Sequence, residues 1–180
     1  VCAAPGGKTA FIACRVGAEG RTVAADLRPE RVALIASLLA RLGLRADLLA
    51  QDATRLALRG PFDRVLVDAP CTGIGSARRR PELLWRGRRE ELSRLARLQV
   101  AIAAAGAELL RPGGRLVYSV CTFPRAETDA ACDAIARHRP DLTPVATPGP
   151  AGAAPAIRHR LWPHRDGTDG MFVAAFERTA

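Results

Sequence analysis

The chain has 180 residues, of which 48% are apolar and 25% charged. That is the composition of one soluble globular domain with a sizeable core, and no apolar run reaches the ~20 residues that span a bilayer. A net charge of +9, with 26 of the 27 basic residues arginine, points to a polyanionic partner. The five cysteines, at positions 2, 14, 71, 121 and 132, include no Cys-x-x-Cys pair, and the three histidines are not at zinc spacing. Neither a disulfide framework nor a metal site is expected, and reduced thiols suit a cytoplasmic protein.

Val1 reads as the last residue of a strand, so the first strand is expected to be truncated. Cys2-Ala3-Ala4-Pro5-Gly6-Gly7-Lys8-Thr9 follows as a loop, and Thr9 to Val16 as a short helix ending near Gly17. Arg21 to Ala25 is a β-like run closed by Asp26. Pro29 suits the first turn of a helix with Val32, Ile35, Ala36, Leu39 and Leu42 on one face and Gly43 as its cap. Asp47 to Ala50 is a weak strand that ends at Gln51-Asp52. Phe62 to Val67 is a strong one that ends at Asp68. A loop rich in Gly, Pro and Arg runs from Ala69 to about Gly87. A long helix then carries Leu92, Leu95, Gln99, Ile102, Gly106 and Leu109 on one stripe. Arg111-Pro112-Gly113-Gly114 reads as a turn, Leu116 to Val120 as a strand ending at Cys121, and Pro124 to His138 as a helix. In that helix Glu127 and Asp129 are placed early to match the macrodipole. The proline-rich stretch from Pro140 to Pro155 reads as irregular, and Ile157–Trp162 and Phe172–Phe176 as two closing strands.

Strands alternating with helices imply an α/β sheet, mostly parallel, with its ligands beyond the carboxyl ends of the strands. Those ends carry the glycine loop, Asp26, Asp52, Asp68 to Cys71, and Cys121, an arrangement that favours an enzyme. The glycine loop lets backbone approach a ligand, and the helix after it favours negative charge. A phosphate-binding P-loop needs a glycine where Cys2 stands, so that motif fails. A P-loop-like ATPase survives as an alternative through Val65-Leu66-Val67-Asp68. Asp26 is placed to hold ribose hydroxyls and Asp52 to accept from an adenine amino group, each otherwise serving as a cap or turn residue. Together they suit an adenosine ligand with little phosphate, such as S-adenosylmethionine.

Three stretches closely resemble motifs of the RNA cytosine-5 methyltransferases: Cys2 to Thr9, Asp68-Ala69-Pro70-Cys71-Thr72-Gly73-Ile74-Gly75, and Tyr118-Ser119-Val120-Cys121-Thr122. Pro163-His164-Arg165-Asp166-Gly167-Thr168-Asp169-Gly170-Met171-Phe172 resembles that family's C-terminal signature, so the likeness covers essentially the whole chain. Arg78-Arg79-Arg80-Pro81-Glu82-Leu83-Leu84-Trp85 is most similar to the bacterial Sun/Fmu (RsmB) branch, which acts on 16S ribosomal RNA. The resemblance implies a Rossmann-like class I S-adenosylmethionine-dependent methyltransferase fold, mostly parallel with an antiparallel C-terminal strand. It implies that residues 1–180 are a catalytic domain whose upstream RNA-recognition region is absent, with RNA as partner. No membrane or metal partner is expected, and the sequence leaves the oligomeric state open, with a monomer as the expectation.

Cytosine C5 is a poor nucleophile until a thiolate adds to C6, so the chemistry needs a cysteine, an acid near the base and a bound methyl donor. Cys71 and Cys121 can share one cavity if their strands are neighbours, and the residues alone do not choose between them. The resemblance implies that Cys121 is the nucleophile, that Cys71 helps release product, and that Asp68 contacts the N3/N4 edge of the base. Lys8, the only lysine, joins the catalytic set. The implied cofactor set is Cys2, Ala3, Ala4, Pro5, Gly6, Gly7, Lys8, Asp26, Arg31, Asp52 and Asp68. Val120 stands where the family often has threonine. Arg78, Arg79, Arg80, Arg86, Arg88 and Arg89 are expected to meet RNA phosphates, with Trp85 either stacking on a base or anchoring its loop. The three histidines read as surface or packing residues, and Cys14 and Cys132 as packed, inert thiols. An inactive RNA-binding domain of the same fold is the remaining alternative.

Overall fold

The structure is a computed structural model and describes residues 1–86, 89–149 and 154–179, with the side chains of Arg86 and Arg89 outside that description. The chain divides into two units, Val1–Ala57 and Leu58–Ala180.

In the first unit, α1 (Gly7–Val16) begins directly after Gly6, two residues earlier than the composition suggested. Gly6 has φ +110°, a conformation only glycine adopts without cost. A Cβ there would lie 3.2 Å from the Ile35 Cα, so the missing side chain lets the loop sit against α2 (Pro29–Leu42). That helix follows its signals closely. Pro29 opens it, and Gly43 closes it in the left-handed conformation, with Leu44 N–H bonding back to the Leu39 carbonyl. Ile35 and Leu39 are buried with Ala10 and Ala24, whereas Ala36 and Leu42 of the expected face are exposed. Strands β1 (Val23–Asp26) and β2 (Asp47–Ala50) form a parallel pair, in register from Val23↔Asp47 to Asp26↔Ala50.

The second unit holds a five-stranded mixed sheet. Strands β3 (Phe62–Asp68) and β4 (Leu110–Val120) are parallel neighbours. Their register is strict from Arg64↔Arg115 to Asp68↔Ser119 but jumps before it, from Phe62↔Leu110. The stretch Arg111-Pro112-Gly113-Gly114 is therefore a bulge inside β4 rather than a turn ahead of it, with Gly113 at φ +73°. Strand β7 (Met171–Arg178) lies antiparallel to β4. On its other edge it pairs with β5 (Leu142–Pro144) and β6 (Arg158–Leu161), both antiparallel. Strand β5 falls in the stretch read as irregular. Its proline is tolerated because β5 is an edge strand. Residues 150–153 of that stretch lie outside the described ones. The strands expected in one sheet thus fall into two, one in each unit.

Helix α4 (Arg89–Glu108) packs on the sheet of the second unit through Leu95, Gln99, Ile102 and Gly106. A Cβ on Gly106 would come within 3.2 Å of Val65 Cγ1, so helix and strand approach closely. Short helices α3 (Leu83–Arg86) and α6 (Pro163–Asp166) lie in the connections. The helix expected from Pro124 is divided. A 3-10 turn at Arg125–Glu127 precedes α5 (Asp129–His138), and Glu127 is not a solvated first-turn acid but fully buried. Leu116, Tyr118, Val120, Phe172, Phe176 and Ile135 form the core, with Tyr118 and Phe172 edge to face.

Candidate functional site

In the first unit the loop after Val1 is tied to the end of β1. Ala3 N–H donates to the Ala25 carbonyl at 3.0 Å, and Ala4 N–H to Asp26 Oδ2 at 3.0 Å. Arg31 reaches back from α2. Its Nε lies 3.1 Å from Asp26 Oδ1 and its Nη2 donates to the Ala4 carbonyl at 3.1 Å. Asp26 is only 6% exposed, so its position is fixed by these partners. A carboxylate has about four acceptor sites, and Ala4 and Arg31 leave capacity for a pair of ribose hydroxyls. Cys2 has φ +57°, uncommon for a residue with a side chain and typical of backbone held at functional loops. Lys8 lies exposed in the first turn of α1.

Beyond β2, Asp52 is exposed. Its Oδ1 accepts from Thr54 N–H (2.8 Å) and Thr54 Oγ1 (2.7 Å), which hold its carboxyl below the usual range. It is thus a turn residue with one oxygen committed. Beside it, Gln51 Oε1 accepts from Ala57 N–H, while Gln51 Nε2 is buried with no hydrogen-bond partner among the described residues. An orphaned buried donor at a strand end suits a ligand acceptor. Small loop residues, a fixed ribose-type carboxylate and this donor fit an adenosine cofactor. Arg31 acts as the strap that holds two of its contacts.

In the second unit, the parallel pairing of β3 and β4 brings the two cysteines together. Ala69 N–H continues the ladder to the Ser119 carbonyl, and Cys71 and Cys121 then turn toward one another, with Sγ atoms 3.6 Å apart. The thiols differ in character. A hydrogen bond from Cys71, aided by Ser76, lowers Cys121 to about 6, against burial and the nearby Asp68, which act upward. Cys71 is pushed well up, first by that same hydrogen bond and then by burial. The contact thus favours charge on Cys121 over Cys71, and the thiolate is the nucleophilic form of cysteine. Cys132 is buried, and burial raises it to about 12.

Glycines fix the backbone around Cys121. Gly75 N–H donates to the Cys121 carbonyl at 3.0 Å, and Gly170 N–H donates to the Gly75 carbonyl at 2.8 Å. A Cβ on Gly75 would lie 2.8 Å from the Cys121 carbonyl carbon and oxygen. The C-terminal signature is thus tied to the nucleophile's own backbone. Its Asp169 also holds Arg79, whose Nε donates at 2.9 Å, and lies 3.8 Å from Arg78. Phe123 stacks on Trp162 at 4.7 Å.

Within the second unit the structure therefore joins Cys71, Cys121 and Asp68 at the ends of β3 and β4, and within the first it joins Ala3, Ala4, Asp26 and Arg31. Three expectations change. Cys14 is exposed rather than packed, because α1 buries Thr9, Ala10 and Ala13 instead. Trp85 is 90% exposed, so its ring is not packed as an anchor among the described residues. The arginine loop is partly neutralised, Arg78 and Arg79 by Asp169 and Arg80 by Glu82. Arg88 and the side chains of Arg86 and Arg89 lie outside the described residues. His159 bonds Thr147, and His138 is exposed. Val120 is buried in the core, and the hydroxyl that bonds Cys121 comes instead from Ser76. Sequence reasoning missed Gln51, Ser76, Glu127 and Thr122. The one visible signal was Gln99, a polar residue within an apolar stripe.

A family model described as 16S rRNA methyltransferase RsmB/F matches residues 1–177. A Mycobacterium tuberculosis protein named as a methyltransferase is 43% identical over 183 residues, 99% of this chain and 40% of its own length. The ribosomal RNA small subunit methyltransferase B of Xylella fastidiosa is 39% identical over 178 residues, 96% of this chain and 41% of its own. The chain thus spans about two-fifths of the length of these curated relatives. Among solved structures, NSun6 from Pyrococcus horikoshii with SFG superposes with a TM-score of 0.84 at 31% identity, over 99% of this chain and 46% of that one. The match along nearly the whole chain, with two thiols facing one another in its second unit, makes this chain a member of the RsmB/F family of 16S rRNA methyltransferases.

Proposed function

We propose that the protein transfers a methyl group from S-adenosylmethionine to C5 of a cytosine in RNA, 16S ribosomal RNA being the substrate, through a covalent bond between Cys121 and C6. The single observation that carries this reading is the cysteine pair itself, Cys71 and Cys121 at the ends of neighbouring parallel strands with sulfurs 3.6 Å apart. Residues 1–180 act as the catalytic domain, and a ribosomal RNA substrate places the protein in the cytoplasm. No helix among the described residues is long and apolar enough to cross a membrane.

Asp26, held by Ala4 and Arg31, takes the ribose hydroxyls of the cofactor, and the Cys2 to Lys8 loop takes its methionine side. Asp52, through its uncommitted oxygen, and Gln51 Nε2 take the adenine. When bound, the cofactor supplies an electrophilic methyl group. Cys121 adds its thiolate to C6, which makes C5 nucleophilic, while Asp68 holds the N3/N4 edge of the base and Lys8 assists. After methylation, C5 must lose its proton and the bond between C6 and sulfur must break. The largest influence holding the proton on Cys71 is its hydrogen bond to the Cys121 sulfur. Once Cys121 is bonded to carbon that hold is released. Cys71 can then lose its proton to water and take the C5 proton as Cys121 leaves. A base reached by both sulfurs must be unpaired or flipped out.

The test is methylation of unmodified 16S RNA by the full-length protein with labelled S-adenosylmethionine, followed by mapping of 5-methylcytosine. Cys121→Ala is expected to abolish transfer, and Cys71→Ala to trap a covalent RNA adduct. An adduct trapped in Cys121→Ala would reverse the two roles, and binding of ATP without S-adenosylmethionine would overturn the reading.

A further inference from the structure

Beneath the two sulfurs lies a buried polar cluster that the chemistry above does not use. Its centre is Glu127, 0% exposed. A buried carboxyl is costly unless donors meet its oxygens, and apolar side chains in its place are often as stable or more so. Here every oxygen is met. Oε1 accepts from Thr72 N–H at 2.9 Å and from Gln99 Nε2 at 2.9 Å. Oε2 accepts from Thr72 Oγ1 at 2.5 Å and Thr122 Oγ1 at 3.1 Å, and the two hydroxyls lie 2.7 Å apart.

The identity of the partners is what matters. Thr72 directly follows Cys71, and Thr122 directly follows Cys121. One carboxyl therefore spans the two segments that present the sulfurs. Gln99, from α4, fixes it from below. Its amide nitrogen also donates to the Pro70 carbonyl, one residue before Cys71, at 2.9 Å. Its Oε1 accepts from the Tyr118 hydroxyl at 2.9 Å, and that hydroxyl has the Glu127 carbonyl as its other acceptor at 2.7 Å. Gln99, Tyr118 and Thr122 are all fully buried, so no water competes for these bonds.

We infer that Glu127 is a positioning residue for the cysteine pair: by clamping Thr72 and Thr122 together it sets the distance at which Cys71 and Cys121 face one another. The inference rests on the reading of those cysteines as the reacting pair. Among the described residues, the groups that face the two sulfurs include Ser76, Asp68, Glu127, the Gly73 amide, the Tyr118 hydroxyl and, at longer range, Arg79. Of these, Glu127 alone bonds to the segments of both cysteines. Its position also adds to the hold on the Cys71 proton.

The clamp is tested on full-length protein by the pH dependence of Cys121 alkylation with iodoacetamide, read on the isolated peptide, without RNA or cofactor. If the clamp sets the sulfur contact, Glu127→Ala lengthens it and moves the Cys121 midpoint upward by about one pH unit or more. Glu127→Gln keeps an acceptor for Thr72 N–H and Gln99, and its amide can face the hydroxyls, which rotate to accept. It is expected to restore at least about half of that shift. Should Glu127→Ala fail to fold, the Thr72→Val/Thr122→Val double variant decides, since it removes only the hydroxyl arm. A folded variant with an unmoved midpoint overturns the clamp. In the methylation assay, the clamp variants should lose kcat by about tenfold or more while KM for RNA holds. Absence of methyl transfer by the wild-type protein would sink the proposed function and leave the alkylation result standing. An unmoved midpoint would sink the clamp and leave methyl transfer standing.

Discussion

Replacing Cys71 by alanine tests the electrostatics of the pair most directly. The hydrogen bond from Cys71 is the largest influence lowering Cys121 from 9.0 to about 6, with Ser76 a smaller one. A donor to the thiolate stabilises the charged form, so its removal must raise the Cys121 pKa toward the ordinary value. At pH 7 a thiol of pKa 6 is ~90% thiolate and one of pKa 9 is ~1%. The gain in thiolate is partly offset, because each unit of pKa lost lowers intrinsic nucleophilicity by a Brønsted factor of about 0.4–0.5. Over three units that is roughly 20-fold, so the wild-type Cys121 should be alkylated only about four times faster than the variant at pH 7. Above about pH 8 the order should reverse, and well above pH 9 the variant should be faster by up to roughly 20-fold. The assay is iodoacetamide labelling across pH, quantified on the Cys121 peptide, which separates it from exposed Cys14. The midpoint in Cys71→Ala should rise by up to about three units, the limit these rates assume, less the part Ser76 retains. A midpoint within about 0.3 units of the wild type, with no crossing of the two curves, would refute the assignment of the thiolate.

Four further outcomes follow from the geometry. Gly75→Ala drives a methyl group into the Cys121 carbonyl and should cost about 1–3 kcal/mol in urea unfolding. It should also remove methyl transfer, and a variant with normal activity would contradict the packing. Asp26→Ala deletes a charged acceptor and should weaken S-adenosylmethionine by roughly 10- to 100-fold in calorimetric titration, an unchanged Kd counting against the site. Asp169→Ala frees Arg78 and Arg79, so trypsin should nick that loop faster, while the unfolding free energy moves by less than about 1 kcal/mol. Trp85→Ala should leave stability within about 0.5 kcal/mol of the wild type but weaken RNA binding by about 1–3 kcal/mol in a filter assay, if its exposed ring stacks on a base.

Local signals carried much of the fold. Pro29 and Gly43 bracket α2 because each acts on its own backbone, and Asp47–Ala50 is a strand as its pattern suggests. Features that depend on distant partners were not legible in the same way. Glu127 looked like a first-turn acid because nothing local announces Thr72, fifty-five residues away. Gly75 looked like one more loop glycine, since its need for space comes from Gly170 and Cys121. Strand β5 was hidden by its own proline, which only an edge position excuses. At the site, strand order brought the two cysteines within reach of each other, but choosing between them required the family likeness. The structure adds the contact itself, with the two sulfurs 3.6 Å apart.

The bulge in β4 gives the β3–β4 pair two ends of unequal tolerance. At one end, where Phe62 pairs with Leu110, the register slips and surplus chain is absorbed by Arg111–Gly114. At the other, pairing is strict through Asp68↔Ser119, and the ladder continues to Ala69. Side chains alternate faces along a strand, so one added residue there would turn a sulfur to the opposite side of the sheet. Chain-length variation and loop grafting should therefore be accommodated around Pro112 and be lethal to the cysteine pair between Asp68 and Cys71 or between Ser119 and Cys121.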